Sequence, residues 1–176
     1  MKAAHPDPAW RGRVTATLVG LPLLWPMLAA SEFKPWLLFD PQSLAAAGHS
    51  GGAITTVGLF SAHRDERLTA GLVIAGTDFR SAPFSGPPAG MLFVHGREDD
   101  TVTFGAGHTV FKAVPWSRAM LAVTEGGHVI EDASFEPITQ TTTEFWRWSL
   151  YGDVTAKGRI PAAAAVGGTA TLENEL

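Results

Sequence analysis

The stretch Leu44-Ala-Ala-Ala-Gly48-His49-Ser50-Gly51-Gly52 decides how this chain is read. A small apolar run climbs into Gly-x-Ser-x-Gly, and a helical pattern starts at once. A serine at such a junction sits on a sharp strand-to-helix turn with its hydroxyl held out at the tip. Gly48 and Gly52 leave room where strand and helix pass closely, and Gly51 can offer its N–H to an oxyanion. The pentapeptide is short, and a chain with 19 glycines can produce it by chance. Ser50 also has an ordinary reading, as the N-cap of the helix that follows. The residues downstream carry the decision.

A nucleophilic serine needs a base to take its proton and a carboxylate to hold that base in the right tautomer. Two segments supply candidates. In Met91-Leu-Phe-Val-His95-Gly-Arg-Glu-Asp99-Asp-Thr-Val102 an apolar run reads as a buried parallel strand and passes into an acidic loop. In Ala119-Met-Leu-Ala-Val-Thr124-Glu-Gly-Gly-His128 a second strand runs into a Gly-Gly turn that presents a histidine. The chain order is therefore Ser50, Asp99, His128, with Asp100 the alternative to Asp99. Each candidate follows a strand at its C-terminal end, where open α/β sheets place their chemistry.

On Gly48-His-Ser-Gly-Gly52, His95-Gly-Arg-Glu-Asp99-Asp-Thr-Val102 and Gly126-Gly-His128, the chain resembles the α/β-hydrolase superfamily. The likeness is to its dienelactone-hydrolase-like and bacterial esterase or polyesterase branches. In such families the acid often stands four residues after the histidine of a His-Gly pair, which maps that role onto Asp99. Asp100 then stands where a proline is common. Thr143-Glu-Phe-Trp-Arg-Trp-Ser-Leu-Tyr-Gly-Asp153 looks like the closing helix of these proteins. The resemblance covers roughly residues 14 to 155; it is specific for the superfamily and loose for the substrate.

A length of 176 residues suits one domain with a proper core. With 45% hydrophobic and 17% charged residues the composition is globular rather than disordered. A net charge of −4 and scattered basic residues argue against a nucleic-acid surface. There is no cysteine, which excludes disulfides, thiolate metal sites and a cysteine nucleophile. No histidine pair has metal-ligand spacing and no nucleotide-binding glycine motif occurs, so neither metal nor cofactor is expected. The compartment stays open, with the cytoplasm preferred to secretion.

Alternating strands and helices imply a three-layer α/β/α fold on a mostly parallel sheet. The expected elements are a helix over 14–30, the nucleophile strand over 43–48 and its helix over 51–63. Strands follow over 70–76, 91–95 and 119–124, with helices over 105–114 and 134–151. The 14–30 stretch also has the superficial look of a signal peptide after Arg11 and Arg13, but its apolar residues step at helical spacing. Pro22 and Pro26 would spoil a membrane span. Pro83, Pro87 and Pro88 mark an irregular crossover over 77–90, whose Phe79 and Phe84 are candidates for one wall of an acyl or alcohol pocket. Phe145, Trp146 and Trp148 read as core contacts of the last helix. Residues 1–155 form the domain in this reading, and the Ala- and Gly-rich 156–176 a loose tail.

Few residues precede the nucleophile strand, and no strand with a second oxyanion loop is found among them. The expectation is an N-terminally truncated α/β-hydrolase fold, with a partner-supplied front or a minimal hydrolase as alternatives. An open edge at the nucleophile strand would invite self-association. The function expected is a serine hydrolase of carboxylic esters, small or polymeric. Ser50 is the nucleophile, His128 the base, Asp99 its orienting acid, and the Gly51 N–H an oxyanion donor. An amide or peptide bond is the weaker chemical alternative. The alternative from a different class is a non-catalytic hydrolase-like fragment or interaction module lacking a complete oxyanion hole. His95 is expected to brace the acid loop, and His49 to pack beside the turn without a part in the chemistry.

Overall fold

A computed structural model describes residues 43–79, 82–130 and 132–176. The expected helix over 14–30 lies outside the described residues. Strands β1 (Leu44–His49), β2 (Leu68–Ile74), β3 (Gly90–Gly96), β4 (Arg118–Val123) and β5 (Ala170–Glu175) form one sheet in that order. The first four are parallel, and β5 runs antiparallel to β4. Among the described residues β1 has a strand neighbour only on its β2 side.

Helix α1 (Gly51–Phe60) links β1 to β2, and α2 (Phe104–Ala113) links β3 to β4. An irregular segment joins β2 to β3. The helices α3 (Asp132–Tyr151) and α4 (Val154–Ala164) precede β5. Among the described residues no helix is long and apolar enough to cross a membrane.

The central strands are mostly apolar because both their faces are covered. Met91, Phe93, Val73 and Met120 pack with Ala53, Val57 and Phe60 of α1 and with Val110 and Phe111 of α2. Their neighbours Leu92, Val94, Leu72 and Leu121 pack on the other face with Ile138 and Phe145 of α3 and Ile160 of α4. Alternate residues thus serve opposite layers, as the two-residue strand period requires. Phe60, Phe93, Phe111 and Phe145 are fully buried, and each contributes about 1.5–3 kcal/mol by leaving water. Trp146 and Trp148 are partly buried against the second cluster. This is a three-layer α/β architecture.

The segment read as a loose tail is ordered. Asp153 caps α4, its carboxylate accepting the Ala156 N–H at 3.0 Å. Ala156, Ile160, Ala163 and Ala164 are buried at the spacing of one helix face. The helix forms despite Gly158 and Pro161 within it, because alanine is the strongest helix former and tertiary burial supplies the rest. β5 then covers the outer edge of β4. Its Glu173 pairs with Lys112 and with His108, and its Glu175 with Lys112 and Arg118. A strand whose acids are met by α2 and β4 carries little apolar signal of its own.

Candidate active site

Ser50 lies between the last residue of β1 and the first of α1, at φ 54° and ψ −118°. A positive φ is uncommon for a residue with a side chain, and holding it costs about 1–3 kcal/mol. Two features hold the turn. The Ser50 N–H donates to the Ile74 carbonyl of β2 at 2.9 Å. Gly48 abuts the Gly52 backbone so closely that a Cβ there would overlap it. Ser50 occupies the N-cap position of α1, yet its hydroxyl makes no capping bond. The hydroxyl instead meets His128, Oγ to Nε2 at 2.9 Å.

His128 follows Gly126 and Gly127 on the loop after β4. Its Nδ1 is 2.9 Å and 3.1 Å from the two Asp99 carboxylate oxygens. A carboxylate only accepts, so Nδ1 carries the proton and Nε2 is left to accept the Ser50 O–H. The His128 side chain is 17% exposed, whereas that of Asp99 is wholly buried. Burial alone would push the Asp99 carboxyl up. Hydrogen bonds from His128 and from the Val102 and Thr101 N–H groups outweigh it and hold the pKa below its ordinary value. Asp100 is exposed and accepts the Thr101 hydroxyl at 3.3 Å. Of the two acids, Asp99 is the one that faces His128.

His95 braces this loop from beneath. Its ring is 2% exposed, with Nε2 donating to the Val102 carbonyl at 2.7 Å and lying 3.3 Å from Asp99 Oδ2. Gly107 of α2 leaves the space that the ring fills; a Cβ there would overlap His95. Gly51, in the first turn of α1, has an N–H without an intrahelical partner, as the start of a helix requires.

The expected pocket wall differs. Phe84 packs edge-on against Trp116, centroids 5.9 Å apart, and lines a groove of about 550 Å³ with Pro83, Ala106 and Val110. Phe79 is 76% exposed on another groove, of about 450 Å³, beside Ile54 and Leu59. Neither groove includes Ser50 or His128. Phe84 turns inward because Trp116 and Phe60 offer it an aromatic surface. The apolar surface beside His128 comes from Val129 and Ile130, which with Ile74, Val94 and Ile138 line a cleft of about 20 Å³.

Sequence reasoning missed one contact. His49 Nε2 lies 2.7 Å from the His128 main-chain carbonyl. Two residues 79 positions apart leave no local pattern that could announce it. Among the described residues no group of three or more His, Asp or Glu side chains could hold a metal ion. No protein-family model matches the chain, and a comparison with curated protein sequences gave no match.

Proposed function

We propose that this chain is a serine hydrolase acting on carboxylic esters, with Ser50, His128 and Asp99 as its triad. The observation that carries the reading is the hydrogen-bond relay from Ser50 Oγ through both ring nitrogens of His128 to a buried carboxylate. A serine serving only as a helix cap would direct its hydroxyl to the first-turn N–H groups. This one turns away from them at the cost of a strained backbone. The order of the three residues along the chain, each after a parallel strand, fits the resemblance to the α/β-hydrolase superfamily.

In the reaction Ser50 Oγ attacks the ester carbonyl as His128 Nε2 takes the hydroxyl proton. Asp99 stays ionised and stabilises the imidazolium. The carbonyl electron pair moves onto oxygen, where the Gly51 N–H donates to it. Collapse of the tetrahedral species expels the alcohol, which leaves with the proton from His128. Water then repeats the sequence on the acyl-serine and releases the acid. Val129 and Ile130, exposed next to His128, favour an ester with an apolar group over a highly charged one.

A second reading keeps the fold and removes the chemistry, as a non-catalytic module. It is favoured by the oxyanion side of the site, where Gly51 is the donor identified among the described residues. Losing one such donor costs about 10²–10³ in turnover. Hydrolysis of a short-chain chromogenic ester, measured beside Ser50→Ala, separates the two. Turnover that disappears in the variant supports the hydrolase, and covalent labelling of Ser50 by a fluorophosphonate gives the same answer without turnover. Equal background rates with no labelling would leave the non-catalytic module.

A further inference from the structure

Ser50 and His49 are consecutive, and both reach His128. Ser50 meets the ring, while His49 meets the main chain. A carbonyl oxygen only accepts, so His49 carries its proton on Nε2 and donates it to the His128 carbonyl. The two rings lie 5.0 Å apart between centroids, tilted by 49°. His128 is thus held at separate points by neighbouring residues of one strand end. That strand end is fixed in turn, because His49 pairs in register with Ile74 and the Ser50 N–H donates to the Ile74 carbonyl.

The histidine loop has need of such a tie. A Cβ on Gly127 would meet nothing within 4 Å, and the next residues, Val129 and Ile130, are 67% and 38% exposed. Gly126 is buried against Val123 and Gly96, but from Gly127 onward the loop has few packed neighbours and takes its order there from hydrogen bonds more than from burial. Asp99 fixes which way the imidazole points, but a bond to Nδ1 still allows the residue to swing about that contact. The Glu98 N–H ties the main chain at Gly126, two residues upstream, and the His49 contact adds an anchor at His128 itself, where it limits the swing that remains.

We propose that His49 is a positioning residue, whose Nε2–H bond to the His128 carbonyl holds the general base in register with the nucleophile. The proposal rests on the serine-hydrolase reading and adds to it a residue outside the triad that does not touch the reacting atoms. Misplacing a reacting group by an ångström can cost about 10²-fold in rate. The loss of one neutral hydrogen bond in an exposed loop should cost less, about ten-fold.

The test compares the full chain with His49→Gln, whose amide N–H can donate from a similar position, and His49→Leu, which keeps bulk without a donor. His49 is exposed, so neither change empties the core. Two readouts are taken: amide hydrogen exchange over residues 126–130, and kcat and KM for the Ser50-dependent hydrolysis of a chromogenic ester. In His49→Leu exchange should accelerate in that loop and kcat fall about ten-fold with KM unchanged, while His49→Gln restores both. Unchanged exchange and kcat in His49→Leu would overturn the positioning role and leave the hydrolase reading intact. Equal losses in both variants would also overturn it, by assigning the effect to the ring instead of the donor. Wild-type protein with no Ser50-dependent turnover would overturn both readings together, and the Ser50→Ala control identifies that case.

Discussion

The Glu98 N–H donates to the Gly126 carbonyl at 3.0 Å, so the loop that carries Asp99 and the loop that carries His128 are joined through their main chains. The two backbones pass so closely that a Cβ on Gly96 would overlap the Gly126 carbonyl. Backbone cannot yield as a flexible side chain can. Gly96→Ala should therefore destabilise the protein by about 1–3 kcal/mol, the usual cost of overpacking, and push the histidine loop outward. Gly105 in α2, where a Cβ would meet open space, is the control. Gly105→Ala should leave stability unchanged or raise it by up to about 1 kcal/mol. Urea midpoints of the two variants check the contrast.

Asp99 links the site to the pH dependence of folding. Its folded-state pKa is lowered, so folding favours the carboxylate. That stabilisation is fully present above the unfolded-chain value of about 3.9 and is lost as pH falls through the folded value. Asp99→Asn should abolish this part of the acid limb, giving a flatter plot of urea midpoint against pH in the acid range. On the proposed hydrolase reading the same variant should lower ester turnover at neutral pH by about 10⁴-fold, because the amide no longer enforces the Nδ1–H tautomer of His128.

Thr141 is fully buried in α3, and its hydroxyl has no hydrogen-bond partner among the described residues. An unpaired buried hydroxyl has lost its water without compensation. Thr141→Val preserves the shape and removes the polar atom, and should raise stability by about 1 kcal/mol. Thermal or urea unfolding reads the difference directly.

Asp65 shows a large electrostatic shift with little energetic consequence. The Arg67 side chain, followed by its N–H, draws the carboxyl down to about 2. Arg67→Ala should return the titration, followed by NMR, toward the ordinary aspartate range. The pair is solvated, so the urea midpoint should not move with it.

The central strands were legible because burial on both faces makes them continuously apolar, as in Met91-Leu-Phe-Val and Ala119-Met-Leu-Ala-Val. The three site residues stood out because each follows such a run. The choice between Asp99 and Asp100 needed the family resemblance at first, and the structure separates them by burial and by which acid faces His128. The end of the chain was illegible for a physical reason. The acids of β5 are satisfied by Lys112, Arg118 and His108, distant in sequence, and α4 is built from alanines whose burial depends on α3 and the sheet. The direction taken by Phe84 was likewise set by Trp116, which only the folded chain brings near.

The antiparallel strand β5 also bears on the order of events during synthesis. A ribosome that has delivered Ser50, Asp99 and His128 has yet to make residues 170–175, the outer neighbours of the strand from which the His128 loop departs. Pairing across so long a separation is intrinsically slow. The nascent chain thus passes through an interval in which all three side chains exist while β4 still has a bare flank. Its histidine loop gains the support of β5 only when that strand has been translated and has docked.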